Sequence, residues 1–232
     1  MTHAKAIISQ VANQTNRAIL FHSATGKDSI ALLELMAPHF KEIICVYMFI
    51  VPGLSHINRY ISYATNRYPN IKFFQVPHFA LSSYYRNGYM GCQVVEGQKL
   101  ISFADLTESV RSQTGVDWAF YGFKKSDSMN RRLMLMGYRE EAINDAQRKC
   151  YPLSGYLNRE VLEYIDRQEL VRPESYGKGQ SAGTNITDID YLLFLRNNYP
   201  EDLKRVLQCF PKVERILFEH DYEEKEERAK AE

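Results

Sequence analysis

Apolar and polar positions fall into short alternating blocks along the first third of the chain. Ala18–Phe21 is an apolar run that ends in a polar turn. Ser29–Met36 then carries Ile30, Leu33 and Ala37 at helical spacing, with Leu32, Leu35 and Met36 widening the stripe, and Pro38 closes that helix. Glu42–Ile50 is nearly continuous in apolar residues and of strand length, the pattern of a strand buried on both faces of a parallel sheet. Pro52-Gly53 marks a turn, His56–Tyr68 reads as a helix broken by Pro69-Asn70, and Lys72–Val76 reads as a strand. Residues 18–76 therefore read β-α-β-α-β, with helices long enough to be crossovers.

The alternation pauses at residues 79–100. This stretch is rich in Tyr and Gly (Tyr84, Tyr85, Gly88, Tyr89, Gly91) and reads as an irregular excursion. It resumes with a helix near Phe103–Thr114, a strand at Trp118–Phe123, a turn bearing Lys124 and Lys125, and a helix from about Asp127 to Met136. A short strand is expected at Lys149–Leu153 and a helix at Arg159–Arg167. A Gly- and Pro-containing loop spans Glu169–Thr187. Helices follow near Asp188–Asn197 and Glu201–Cys209, and the charged Glu219–Glu232 stretch reads as a solvated helix. The sum is an α/β fold: a doubly wound, mainly parallel five-stranded sheet with helices on both faces. The expected division is a nucleotide-binding domain over 1–187 with a helical C-terminal extension, 188–232, packed on it.

Composition narrows the function classes. The 232 residues suffice for one sizeable core. A formal net charge of +1 gives no global argument for a nucleic-acid partner. Cys45, Cys92, Cys150 and Cys209 form no Cys-x-x-Cys pair, so their spacing matches neither a zinc knuckle nor a ferredoxin-like run. The first residues lack a signal-peptide apolar core and no apolar run reaches membrane-spanning length, so the chain reads as cytoplasmic.

The chemistry gathers at the first strand-to-helix turn, Ser23-Ala24-Thr25-Gly26-Lys27-Asp28-Ser29. A helix N-terminus offers unpaired N–H groups and a partial positive charge. Gly26 lets the backbone approach a phosphate closely. Lys27 adds a cation, and Ser23, Thr25 and Ser29 add hydroxyls. Asp28 would repel a phosphate, so it is either a helix cap or a ligand for Mg²⁺ bridging the phosphates. Taken alone, the string serves equally well as a capped helix after an ordinary βα turn. It is not a Walker A loop, because the first glycine and its spacing are missing.

Thr25-Gly26-Lys27-Asp28-Ser29 after an apolar strand resembles the PP-loop of the adenine nucleotide α-hydrolase-like superfamily, and most nearly the phosphoadenosine phosphosulfate (PAPS) reductase family. Gly122-Phe123-Lys124-Lys125-Ser126-Asp127-Ser128-Met129-Asn130-Arg131 resembles that family's second nucleotide segment. Here Gly122 ends a strand, Lys124 and Lys125 would meet anionic oxygens, and Asp127-Ser128 starts a helix presenting Arg131, whose planar fork suits phosphate or sulfate. Tyr151-Pro152-Leu153 leading into Glu160–Ile165, and Pro173 to Gly177, resemble a third stretch of structural character. The resemblance implies binding of ATP, or of PAPS or adenosine phosphosulfate (APS), with Mg²⁺. It also implies Lys27, Asp28 and Arg131 as catalytic residues and Asp28 as the metal ligand. The nucleotide would be held by Ser23, Thr25, Gly26, Lys27, Ser29, Gly122, Lys124, Lys125, Asp127, Ser128 and Arg131.

The chain departs from the family in three places. Ala24 stands where the family's loop begins with Ser, and Val51-Pro52 stand where the family often has Asp-Thr. The C-terminal Glu-Cys-Gly-x-His element, whose Cys attacks sulfur in the reductases, is missing; Cys209 sits in an apolar helical pattern that suits packing. The reading that follows is ATP cleavage between the α- and β-phosphates, giving AMP and pyrophosphate, coupled to adenylyl transfer or activation of an unknown acceptor, as in the family's FMN adenylyltransferase-like members. The alternatives are a PAPS- or APS-directed enzyme using an external thiol, and a non-catalytic nucleotide-binding subunit of a modification or defence complex. An oligomer or protein partner fits any of these; a membrane fits none.

Overall fold

The computed structural model describes residues 1–172 and 185–231. Its elements run α1 (Thr2–Ala12), β1 (Arg17–Phe21), α2 (Lys27–Met36), β2 (Glu42–Phe49), α3 (Ser55–Arg67), β3 (Ile71–Pro77), α4 (Ala80–Asn87), α5 (Phe103–Thr114), β4 (Ala119–Phe120), α6 (Met129–Met136), β5 (Ile143–Asn144), β6 (Lys149–Cys150), α7 (Asn158–Arg167), α8 (Ile189–Asn198), α9 (Pro200–Cys209) and α10 (Glu214–Ala231).

The described residues form a six-stranded sheet in the order β3-β2-β1-β4-β6-β5. β1 runs parallel to β2 with Ala18 opposite Ile43 and Leu20 opposite Cys45, and parallel to β4 with Leu20 opposite Phe120. β4 runs parallel to β6, and β5 alone is antiparallel. This is the expected α/β class with one strand more than the sequence pattern shows. β5 holds one apolar residue, Ile143, between the polar stretches Arg139–Glu141 and Asn144–Arg148, whereas β4 and β6 lie in longer apolar runs, so it leaves no strand signature. Two helices also go beyond the sequence pattern: α1 lies ahead of its first element, and α4 occupies part of the stretch with irregular patterning.

The chain divides into two compact units. One comprises Met1–Met48, Tyr60–Val76 and the described residues of Ala104–Glu174. The other comprises Phe49–Arg59, Pro77–Phe103 and the described residues of Ser175–Glu232. In the first, the buried runs Ala18-Ile19-Leu20 and Ile43-Ile44-Cys45-Val46 form the centre of the sheet, with Ala119 and Phe120 beside them. α1 and α7 both pack on α2. Right-handed crossovers put α2 on one face and α5 on the other, because β1→β2 and β3→β4 step in opposite directions across the sheet. The strand order therefore reverses between β1 and β4, and open α/β sheets offer a ligand crevice at the carboxyl ends of two such strands.

In the second unit, Asp202 at the start of α9 caps α3. Its buried carboxylate accepts from the Ser55 N–H (2.8 Å), the Ser55 hydroxyl (2.8 Å), the His56 N–H (3.2 Å) and the His56 Nδ1–H (2.8 Å). Burial alone would raise the Asp202 pKa; the bonds from His56 and Ser55 outweigh it and hold the carboxyl below its usual range. Tyr84 and Tyr89 stack on each other with ring centroids 4.3 Å apart, and Tyr84 meets Phe210 edge-on.

Candidate functional site

The turn between β1 and α2 is built on hydrogen bonds that the residue types dictate. Gly26 is the N-cap of α2, and the first bond inside the helix runs from the Ile30 N–H to the Gly26 carbonyl at 3.1 Å. The N–H groups of Lys27, Asp28 and Ser29 precede that bond and so have no carbonyl partner inside the helix. The Ser29 Oγ accepts the Ser23 N–H at 3.0 Å and lies 2.8 Å from the Ser23 Oγ, which pins the loop across its mouth. A Cβ on Gly26 would stand 2.2 Å from the Ser23 Oγ, so a side chain there would collide with that pinned hydroxyl.

Ala24 has φ of 56°, the left-handed region that costs an L residue about 1–2 kcal/mol. Its side chain is fully buried, whereas Ser23 is exposed. The hydroxyl available at the loop surface is therefore that of Ser23, and position 24, where the family has Ser, turns its Cβ inward. His22, left outside the set of site residues by the sequence, is buried beneath the loop. Strand alternation suggests that it leaves the core; the bend into the loop instead turns it inward, where its Nδ1 accepts the Ala24 N–H at 2.9 Å.

The second segment meets the first directly. A Cβ on Gly122 would approach the Asp28 Cβ to 2.9 Å, so glycine permits the close approach of the two turns. Around this contact runs a chain of alternating charges. Lys27 Nζ is 3.4 Å from Asp28 Oδ2, Asp28 Oδ1 is 2.7 Å from Lys124 Nζ, and Lys124 Nζ is 3.1 Å from Asp127 Oδ1. Asp127 Oδ2 in turn accepts from Arg131 Nη1 at 2.7 Å. Lys124 is 1% exposed, which is uncommon for a lysine and explained by the two carboxylates it faces. Three cations against two carboxylates leave the network one positive charge in excess.

Burial alone would raise the Asp127 pKa. The Lys124 N–H at 2.9 Å, the Lys124 ammonium and Arg131 outweigh that and hold the carboxyl below its usual range. Arg131 also lies over the Phe123 ring, 4.0 Å from its centroid. Ser128 is the N-cap of α6, its Oγ accepting the Arg131 N–H at 3.2 Å.

Lys27, Asp28, Lys124, Asp127 and Arg131 are thus brought together, with Gly26, Gly122, Ser23 and Ser29 shaping the turns. Thr25 is buried in the loop. Lys125 points elsewhere: its ammonium pairs with Glu141, and its N–H bonds the Ser154 carbonyl at 2.8 Å. Val51 is buried in the second unit. The Pro173-to-Gly177 motif lies outside the described residues.

Among the described residues no group of three His, Cys, Asp or Glu side chains is placed to hold a metal ion. Asp28 faces two ammoniums, so the residues present make no protein cage for Mg²⁺. They do fit an anion: a glycine-shaped turn, a helix N-terminus and a net positive network converge there. None of the four cysteines sits where its surroundings favour the thiolate: burial raises the thiol pKa of Cys45, Cys92, Cys150 and Cys209. No described helix is long and apolar enough to cross a membrane.

Comparison with known proteins adds the following. The U34-tRNA thiolase NcsA from Methanococcus maripaludis is similar over 91% of this chain and 78% of its own, with a TM-score of 0.47 and 14% identity. The NH3-dependent NAD synthetase from Campylobacter jejuni is similar over 91% of each chain, with a TM-score of 0.49 and 12% identity. No curated protein sequence matches. Residues 18–201, which contain both turns of the site, match the phosphoadenosine phosphosulfate reductase domain, and the chain belongs to that adenine-nucleotide-binding family.

Proposed function

We propose that the chain binds the phosphates of ATP in the β1–α2 turn and cleaves the nucleotide between its α- and β-phosphates, passing the adenylyl group to an acceptor. The observation that carries this reading is the contact between the two turns. Gly122 against Asp28 and Lys124 against both Asp28 and Asp127 place the helix N-terminus beside a net positive charge network. A triphosphate needs both.

In this reading the first-turn N–H groups of α2 and the Ser23 hydroxyl bind phosphate oxygens. Lys27 offsets charge that grows on the departing pyrophosphate. Such fixed donors and cations stabilise developing charge without reorganising during the reaction. Lys124 has the different task of holding Asp28 and Asp127 in place. Arg131, bound to Asp127 and Ser128, fixes the start of α6 beside the phosphates.

The thiol chemistry of the sulfonucleotide reductases is disfavoured for this chain's own residues, because the C-terminal stretch carries no Glu-Cys-Gly-x-His element and burial shifts all four cysteines toward the thiol. The test is incubation with ATP, Mg²⁺ and a deproteinised cell extract as the source of acceptor, followed by measurement of pyrophosphate and of adenylyl groups carried onto products. A parallel incubation with PAPS and a reduced dithiol protein is assayed for sulfite. Pyrophosphate release that is lost in Lys27→Ala supports the proposal. Sulfite release without pyrophosphate release, or nucleotide binding with neither product, overturns it in favour of a reductase or a binding subunit respectively.

A further inference from the structure

The nucleotide reading leaves His22 without a task, although it is 2% exposed at the root of the loop. An amide N–H can only donate, so the 2.9 Å bond from Ala24 makes the His22 Nδ1 the acceptor. The neutral ring then carries its proton on Nε2, which donates to the Tyr60 hydroxyl at 3.1 Å. Tyr60 packs on the ring at 5.2 Å and Phe73 meets it at 5.6 Å between centroids, so two aromatic residues fix its orientation. Burial pushes the His22 pKa down to about 3, which keeps this tautomer neutral over the physiological range.

The residue that His22 holds is the strained one. Ala24 has φ of 56°, and such a conformation persists where its surroundings over-determine it. We propose that His22 is a positioning residue of the phosphate loop: as the Nε2–H tautomer seated on Tyr60, it fixes Ala24 in the left-handed conformation from which the chain turns into Gly26 and α2. The Ala24 N–H is consumed by this bond, so the phosphate is left to the donors at the start of α2 and to Ser23. This rests on the reading of the loop as a phosphate cradle.

The test is a double-mutant cycle on ATP affinity. His22→Phe keeps an aromatic ring but has no acceptor for the Ala24 N–H, and is expected to weaken ATP binding about tenfold, equal to about 1.4 kcal/mol. Ala24→Gly, in the same chain as His22→Phe, is expected to restore affinity to within about threefold of the original, because glycine adopts positive φ without support. His22→Asn, whose amide oxygen can replace Nδ1 as acceptor, serves if His22→Phe does not fold, and is expected to bind as the unsubstituted chain does. A role in core packing alone predicts that Ala24→Gly restores nothing.

Nitrogen-resolved NMR of the histidine rings supplies an independent reading, with the Nε2–H tautomer expected for His22 at pH 7. The proposal is overturned if His22→Phe binds ATP normally, if Ala24→Gly fails to rescue it, or if His22 carries its proton on Nδ1. Failure of the loop reading looks different: the unsubstituted chain itself does not bind ATP.

Discussion

Lys124 Nζ lies 2.7 Å from Asp28 Oδ1, and this contact joins the turn after β1 to the turn after β4. The two strands are neighbours in the sheet, so their carboxyl ends deliver both turns to one place. Removing one member of a buried ion pair strands its partner. Lys124→Met is therefore expected to cost about 2–4 kcal/mol, toward the low end because Lys27 still neighbours Asp28. Adding Asp28→Asn should recover part of the loss. Urea unfolding of the two single variants and the double variant measures this; simple additivity would show that the pair is not coupled.

Gly26 and Ser23 make a second coupled pair. A methyl group on Gly26 would meet the Ser23 Oγ at 2.2 Å and displace it from Ser29. Gly26→Ala should reduce ATP affinity about tenfold, and Ser23→Gly should cost less in the Gly26→Ala chain than it does alone, because the hydroxyl it removes is already displaced there. Isothermal titration of ATP into the three variants decides the matter.

Acid should destabilise the protein in a defined window. Unfolded histidine gains a proton as the pH falls through about 6.5, whereas folded His22 resists until about 3. Between these values the unfolded state binds more protons, so stability falls on acidification by up to ~1.4 kcal/mol per pH unit from this residue. His56 and His78, whose pKa values burial also lowers, add slopes of the same sign. His22→Phe should flatten the dependence of unfolding free energy on pH between about 6 and 4. An unchanged slope in denaturant titrations would show that His22 titrates normally.

In the second unit, Asp202→Ala should leave the Ser55 and His56 donors buried without their acceptor, at a cost of about 3 kcal/mol. With the Asp202 pKa held low, its contribution is present above the unfolded value near 4 and fades as the pH falls through the lower folded value. Thermal unfolding of Asp202→Ala and Asp202→Asn at pH 7 measures the first effect.

The sheet was legible in the sequence because β1 and β2 are buried on both faces and leave continuous apolar runs. β5 was not, because Ala142-Ile143 is too short an apolar run between polar stretches to stand out. Gly26, Lys27 and Asp28 could be singled out in the sequence through the resemblance of Thr25–Ser29 to the PP-loop, since the string alone reads equally well as a capped helix. The separate fates of Lys124 and Lys125 were not, since adjacent side chains in a turn diverge: one pairs with Asp28 and Asp127, the other with Glu141. His22 escaped for a related reason. Its burial depends on the bend after β1 and on Tyr60, thirty-eight residues away in sequence.

Every role proposed for the site depends on the N-terminus of α2 cradling nucleotide phosphates. Its most direct test compares equilibrium binding of ATP and adenosine to the unsubstituted chain and to Lys27→Ala. Saturable ATP binding is expected, with adenosine binding at least about tenfold weaker and a loss of about tenfold for ATP, but not for adenosine, in Lys27→Ala. ATP and adenosine binding equally well, or no ATP binding at millimolar concentration, would contradict it.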